Sequence, residues 1–127
     1  MTNIARKQKN ILLVEDDFIL AMDAEDAIRS AGLEVSVVDN VDDALKVLES
    51  EKIDGAIMDF NLGNQTSEPV LGVLEDKDIP FAVVSGADLK ELTTSVGEIK
   101  HLYRKPVDYD QVALHLAELT RTRSNKT

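Results

Sequence analysis

Cysteine is absent from this 127-residue chain, and aromatic residues make up only 4% of it. Without cysteine there is no disulfide, no thiolate metal ligand and no cysteine nucleophile, and the absence fits a reducing cytoplasm, where we expect the protein to reside. Apolar residues still account for 43% of the chain, so we predict an aliphatic core. No apolar run approaches the roughly 20 residues that cross a bilayer, and no signal-peptide pattern is present.

Positive charge is also scarce, because 14 Lys and Arg stand against 24 Asp and Glu, for a net charge of −10. A surface of this sign repels nucleic-acid phosphates and anionic lipid. We therefore expect neither nucleic acid nor a membrane as a partner. An anionic ligand would need a metal ion beside it to screen the negative charge.

Short apolar runs alternate with segments of helical periodicity along the chain. The predicted strands are 11–14, 35–38, a run that ends at Asp59, 81–84 and 99–103. The predicted helices cover about 20–31, 41–48, 68–75, a weakly patterned segment at 88–96, and 112–119. Five strands alternating with five helices predict one α/β domain with a mostly parallel sheet and helices on both of its faces.

Polar side chains follow the predicted strands at their carboxyl ends. In strand order they are Glu15, Asp16 and Asp17; Asp39 and Asn40; Asp59; Ser85 and Gly86; and Arg104, Lys105 and Pro106. Each of these signals is weak alone, because an isolated Asp is more often a turn residue and acids before a helix often cap it. Their joint position is informative, since ligands of open parallel sheets bind at the carboxyl ends of the strands.

These residues suit phosphoryl chemistry when they are taken together. Carboxylates that meet in a partly buried crevice repel one another and favour a shared cation, and oxygen ligands without His or Cys suit Mg²⁺. A carboxylate such as Asp59 can attack a phosphoryl group and form an aspartyl phosphate. Lys105 would supply positive charge and Ser85 a hydrogen bond. We predict that Asp59 is phosphorylated.

Four motifs in order, ILLVEDD, IMDFNLG, VVSG and YRKPV, resemble the receiver domain of two-component response regulators. The resemblance covers about residues 9–122, leaving 1–8 as an N-terminal extension and 123–127 as a polar tail. It implies a doubly wound, flavodoxin-like α/β fold with five parallel strands in the order 2-1-3-4-5. It also implies a phosphoacceptor signalling protein rather than an enzyme, although such a protein can catalyse its own phosphorylation and dephosphorylation.

The resemblance also implies a role for each residue of the predicted site. Asp59 becomes the phosphoacceptor, Lys105 takes the invariant lysine position and Ser85 the switch hydroxyl position. The implied ligands of Mg²⁺ are Glu15, Asp16, Asp59 and the backbone carbonyl of Asn61. The peptide bond between Lys105 and the proline after it is expected to be cis.

The partners implied by the resemblance are proteins. A sensor histidine kinase or a histidine phosphotransfer protein would donate the phosphoryl group, and the output would be altered contact with an unidentified downstream protein, or use as a phosphate sink. The segments NLGNQTSEPV and IPFAVVSG further resemble single-domain receivers of Alphaproteobacteria linked to HWE-type kinases. One position departs from the family: Leu102 stands where the aromatic switch residue is usual, and Tyr103 follows it.

Two other functions are considered. A pseudo-receiver would keep the fold and signal without phosphate, and an absence of Mg²⁺ binding would favour it. A haloacid-dehalogenase-like phosphatase also places an aspartate nucleophile after a parallel strand. That family needs a second acid two residues later, where this chain has Asn61, and usually a lid, for which there is little length.

The two histidines, His101 and His115, lack the sequence spacing of metal ligands. Histidines outside such a pattern are more often surface residues, and we interpret both in that way. The acidic residues beyond the predicted crevice are likewise interpreted as a solvated face.

Overall fold

A five-stranded parallel sheet organises the chain in the computed structural model, which describes residues 8–86 and 99–124, with side chains as far as residue 121. The sheet strands are β1 (Asn10–Val14), β2 (Glu34–Val38), β3 (Gly55–Asp59), β6 (Phe81–Ser85) and β7 (Leu102–Arg104). A separate antiparallel hairpin is formed by β4 (Asn61–Leu62) and β5 (Gln65–Thr66). The helices are α1 (Phe18–Ser30), α2 (Val41–Ser50), α3 (Glu68–Asp76) and α4 (Tyr109–Ser124). The predicted helix at 88–96 lies outside the described residues.

The strand order is β2-β1-β3-β6-β7, and every neighbouring pair is parallel. This confirms the predicted doubly wound topology. The last residues of neighbouring strands lie side by side: Val14 with Val38 and Met58, Asp59 with Val84, and Ser85 with Arg104. The residues that follow the strands therefore emerge at one edge of the sheet, near β1 and β3, where the order of the strands reverses.

The core has two layers, one on each face of the sheet. Leu12 and Val14 of β1 face the layer under α2 and α3, while Ile11 and Leu13 face the layer under α1 and α4. Because successive side chains of a strand point to opposite faces, a strand covered on both sides is apolar throughout, and β1 and β3 have this character. The core is aliphatic as predicted, although the aromatic Phe60 belongs to the first layer.

Local capping chemistry sets both ends of α1 and the start of α2. Asp17 caps α1, and its carboxylate accepts a hydrogen bond from the Leu20 amide at 3.1 Å. Gly32, just beyond the end of that helix, has φ +85°, which glycine adopts without steric penalty. Asn40 caps α2 through the Asp43 amide at 2.8 Å.

Among the described residues, no helix is both long and apolar enough to cross a bilayer.

The largest boundary differences from the sequence prediction are at β7 and α4. The last strand is Leu102–Arg104 rather than 99–103, because it extends only as far as its pairing with β6. Helix α4 (Tyr109–Ser124) extends beyond the predicted range 112–119 at both ends. The buried Thr120 anchors its later turns against the sheet.

Gly55 at the start of β3 permits this close approach of α4. A Cβ atom there would lie 3.0 Å from Thr120 Cγ2, 3.2 Å from Ile11 Cδ1 and 3.3 Å from Leu116 Cγ. Those neighbours come from two different elements of a packed core and have little room to move. Gly55 is therefore required for the packing of α4 on the sheet.

We predict that Gly55→Ala lowers the free energy of unfolding by about 1–3 kcal/mol, because the added methyl group overpacks the core. The matched control is Gly72→Ala, because a Cβ at that exposed position in α3 meets no atom within 4 Å. The control should raise stability by about 0.4–1 kcal/mol, since alanine has less conformational freedom when unfolded. Urea denaturation measures both, and equal effects of the two substitutions would contradict the packing argument.

Candidate functional site

Three carboxylates meet at the carboxyl edge of the sheet. Glu15 directly follows β1, Asp16 comes next, and Asp59 is the last residue of β3. One oxygen from each lies within 4.8 Å of the others. Glu15 and Asp59 are buried, while Asp16 is exposed. We call these three residues the acid site, and it brings together the three predicted side-chain ligands of a metal ion.

Lys105 provides the positive charge at the acid site. Its Nζ lies 2.8 Å from Asp59 Oδ2 and 3.8 Å from Glu15 Oε1. The Lys105–Pro106 peptide bond is cis, as expected from the sequence, and the Lys105 amide donates to the Ser85 carbonyl at 2.9 Å. Burial alone lowers the pKa of Lys105, but the hydrogen bond and charge of Asp59, followed by the charges of Glu15 and Asp16, raise it overall. The ammonium group is therefore fully charged at neutral pH.

One lysine does not balance three carboxylates. Burial, together with the negative charges of Asp59 and Asp16, raises the pKa of Glu15 to about 7. The Asp17 amide, which donates to Glu15 Oε2 at 3.0 Å, and the Lys105 ammonium act in the opposite direction but do not cancel this effect. Full ionisation of the acid site at neutral pH is thus unfavourable without a further cation.

Ser85 and Asn61 flank the acid site. Ser85 ends β6, the neighbour of β3, and is fully buried. Asn61 begins β4 two residues after Asp59, is exposed, and pairs with Thr66 across the hairpin. The roles of the Ser85 hydroxyl and the Asn61 carbonyl stay predictions.

The β4–β5 hairpin was predicted only as a loop, and it borders the acid site. Gly63 at its turn has φ +65°, and a Cβ atom there would lie 3.8 Å from Asp16 Oδ2. Gln65 anchors the hairpin, because its Oε1 accepts a hydrogen bond from the Val41 amide of α2 at 3.1 Å. The segment that carries Asn61 is therefore tied to the main fold. The Gly63-Asn64 pair is a turn signal that indicates such a hairpin.

Tyr109 is a neighbour of the acid site that the sequence analysis missed. It is the first residue of α4 and is buried. Burial, followed by the negative charges of Glu15, Asp59 and Asp23, raises the pKa of Tyr109. Its position in the first turn of the helix after the Lys105 segment was the only sequence signal, and that signal is weak.

Leu102 and Tyr103 lie on opposite faces of β7. Leu102 packs against the core layer under α2 and α3, whereas Tyr103 packs against the layer under α1 and α4. The Tyr103 hydroxyl is hydrogen-bonded to His115 Nδ1 on α4. The Tyr103 ring therefore does not occupy the face of the sheet on which Leu102 packs.

The sequence profile of the response regulator receiver domain matches residues 11–113. The chain belongs to this family. It is a receiver domain of the kind found in two-component regulatory systems. Such domains are signalling modules. The more specific link to HWE-type kinases stays a prediction.

Similar curated proteins are regulators that are longer than this chain. Regulatory protein VirG of Rhizobium rhizogenes is 29% identical over 84 residues, which are 65% of this chain and 35% of VirG. The receiver thus spans about a third of the length of this curated relative.

Solved structures agree with the fold. A response regulator receiver protein from Sinorhizobium medicae WSM419 is 27% identical, with a TM-score of 0.81 over 92% of this chain and 98% of that chain. A response regulator protein from Burkholderia pseudomallei, solved with a phosphorylated aspartic acid, a calcium ion and citrate, is 21% identical, with a TM-score of 0.73 over 91% of this chain and 72% of that chain.

The raised pKa of Glu15 predicts a particular pH dependence in metal-free protein. The folded state holds this proton more tightly than the unfolded state, whose pKa is the ordinary 4.5. The contribution of Glu15 to stability is therefore complete below pH 4.5 and is lost as the pH rises through about 7. We expect Glu15→Gln to remove this loss, on the order of 1–3 kcal/mol.

The measurement is urea denaturation from pH 5 to pH 8 in the presence of a chelator. The exposed Glu49→Gln variant of α2 is the matched control and should keep the wild-type profile. A Glu15→Gln profile parallel to that of wild type would show that Glu15 does not titrate in this range.

Proposed function

We propose that this receiver accepts a phosphoryl group on Asp59 in a Mg²⁺-dependent reaction. The donor is a histidine kinase or a histidine phosphotransfer protein, and the output is a changed protein contact. The observation that supports this most directly is the position of Lys105 Nζ, 2.8 Å from Asp59 Oδ2 within a group of three carboxylates. Phosphoryl transfer to a carboxylate requires a nucleophile, a fixed cation and anionic ligands for a metal ion. Asp59, Lys105 and the group of three carboxylates supply these parts.

The donor set of the acid site fits Mg²⁺. Glu15, Asp16 and Asp59 offer only oxygen atoms, and a small hard cation prefers such ligands together with water and phosphate oxygens. The ion would relieve the repulsion among these carboxylates, which adds to the effect of burial in raising the pKa of Glu15. When bound, it supplies positive charge against the negative charge of the phosphoryl oxygens. Asn61 would add its backbone carbonyl to these side chains.

The transfer itself uses residues of this chain. An oxygen of Asp59 attacks the phosphorus atom of a phosphohistidine, a P–O bond forms, and the P–N bond breaks with its electron pair left on the donor imidazole. The product is an acyl phosphate at Asp59. The Lys105 ammonium transfers its hydrogen bond from the carboxylate to a phosphoryl oxygen, and the Ser85 hydroxyl donates to another.

The surface beside the acid site suits a protein donor. Helix α1 begins just after Asp17, and its first turns expose Phe18, Ile19 and Met22, which are 75%, 71% and 52% accessible. Exposed apolar side chains grouped on one helix are typical of protein contacts. A donor that packs on this part of α1 would hold its phosphohistidine near Asp59.

The other two functions have less support. A pseudo-receiver has no need for Lys105 to be held against Asp59, yet that contact is present here. A haloacid-dehalogenase-like phosphatase needs an acid two residues after its nucleophile, and Asn61 occupies that position.

We predict that incubation with acetyl phosphate and Mg²⁺ adds one phosphoryl group, seen by intact-mass measurement. Asp59→Asn should abolish the adduct while keeping the fold, because the amide is a poor nucleophile of nearly equal size. The matched control is Asp54→Asn, at a buried aspartate just before β3 whose Oδ2 accepts a hydrogen bond from the Asn10 amide at 2.8 Å. Persistence of the adduct in Asp59→Asn would overturn the assignment.

We predict that the double substitution Ile19→Ala and Met22→Ala slows transfer from a phosphorylated histidine kinase by at least about tenfold, because it removes apolar contacts with the protein donor. Phosphorylation by acetyl phosphate should be unchanged, since that small donor does not need α1. Leu114→Ala, at an exposed position 61% accessible on α4, is the matched control. Radiolabel transfer from each kinase of a panel would be measured for wild type, the double variant and Leu114→Ala. Equal transfer rates for the three receivers would exclude this part of α1 as the docking surface.

A further inference from the structure

The tertiary structure brings together the only two histidines of the chain. His101 immediately precedes β7 and His115 lies on α4. Their ring centroids are 4.8 Å apart and their planes are nearly perpendicular, at 84°. His101 is half-buried and His115 is exposed, so the pair is open to solvent on one side.

Tyr103 orients one of these rings. Its hydroxyl is hydrogen-bonded to His115 Nδ1, and the two rings meet edge to face with centroids 6.2 Å apart. When Nδ1 carries the proton and donates to the tyrosine oxygen, the lone pair of His115 lies on Nε2. A hydrogen bond of this kind on the second ring nitrogen is characteristic of histidines that bind metal ions, because it sets the tautomer and the ring orientation.

We propose that His101 and His115 form a two-histidine site for a divalent cation of the Zn²⁺ class, with water completing the coordination. Two imidazole nitrogens on one tetrahedral zinc ion lie about 3.4 Å apart, given Zn–N bonds of about 2.1 Å. Ring centroids 4.8 Å apart are compatible with that separation, since each nitrogen lies roughly 1.2 Å from its own ring centre. Imidazole favours zinc, copper and nickel over magnesium.

The electrostatics near the pair are mixed but permit binding. Burial lowers the pKa of His101, and the charges of His115, when that ring is protonated, and of Lys100 act in the same direction. The His101 imidazole is therefore neutral at pH 7 and keeps a lone pair. The positive charge of Lys100 opposes a cation, whereas the net charge of −10 over the whole chain favours one. Glu118 follows His115 by three residues and so lies about one helical turn away.

This pair is separate from the acid site. His101 lies at the amino end of β7, whereas Lys105 and the three carboxylates lie at the carboxyl ends of the strands. The two sites also select different ions, because one offers nitrogen and the other oxygen. A cation held by both histidines would tie the edge strand β7 to α4. The proposal does not depend on phosphorylation of Asp59.

The test is titration of the full chain with Zn²⁺ at pH 7.5 with Mg²⁺ present, followed by long-range ¹H–¹⁵N correlation of the imidazoles. Both histidines should shift together and reach saturation with one equivalent of Zn²⁺. His101→Gln and His115→Gln should each weaken binding about 10²-fold, because the second ligand no longer acts intramolecularly. Tyr103→Phe should weaken it about tenfold, because the hydrogen bond to Nδ1 is lost.

The control is Asp59→Asn, which alters the acid site and should leave the imidazole shifts unchanged. If neither histidine shifts, or if a variant with one histidine binds Zn²⁺ as tightly as wild type, the proposal is overturned. Neither result bears on the acetyl phosphate experiment, so the two proposals fail independently.

Discussion

The contact between the Lys105 ammonium and the Asp59 carboxylate is the interaction on which this receiver depends. Two of the three carboxylates at the sheet edge are buried, and burial, together with the negative charges of Asp59 and Asp16, raises the pKa of Glu15 to about 7. A single lysine at 2.8 Å from Asp59 compensates part of that charge and leaves the rest for another cation. Three carboxylates beside one lysine leave an excess of negative charge, and such an excess favours a further cation.

The frame that holds this contact is the sheet. Asp59 ends β3, while Glu15 and Lys105 directly follow β1 and β7. These strands are far apart in the chain, and parallel pairing in register places their carboxyl ends together. Two glycines also support this arrangement. Gly55 allows α4 to approach the sheet, and Gly63 places the turn of the hairpin beside Asp16. Most of the described core therefore supports the site indirectly, by holding strand ends at fixed positions.

The chain differs from the usual receiver pattern at β7. With Leu102 facing α2 and α3, the aromatic group of this strand is Tyr103, which faces α4 and is bonded to His115. Tyr103 lies two residues before Lys105 in the chain, and its hydrogen bond to His115 connects β7 to α4.

Hydrophobic periods of 2 and 3.6 residues were sufficient to predict the alternation of strands and helices and the aliphatic core, because both are recorded in neighbouring residues. The acids at the ends of β1 and β3 could be identified directly after the apolar runs. The strand order was implied by the resemblance of the four motifs to receiver domains. The hairpin, the start of β7 and the burial of Tyr109 against the acid site depended on pairing and packing that no local pattern records. The meeting of His101 with His115 is the clearest case. Their sequence spacing carries no metal-ligand signal, and only the way in which α4 lies across the sheet brings the two rings to 4.8 Å.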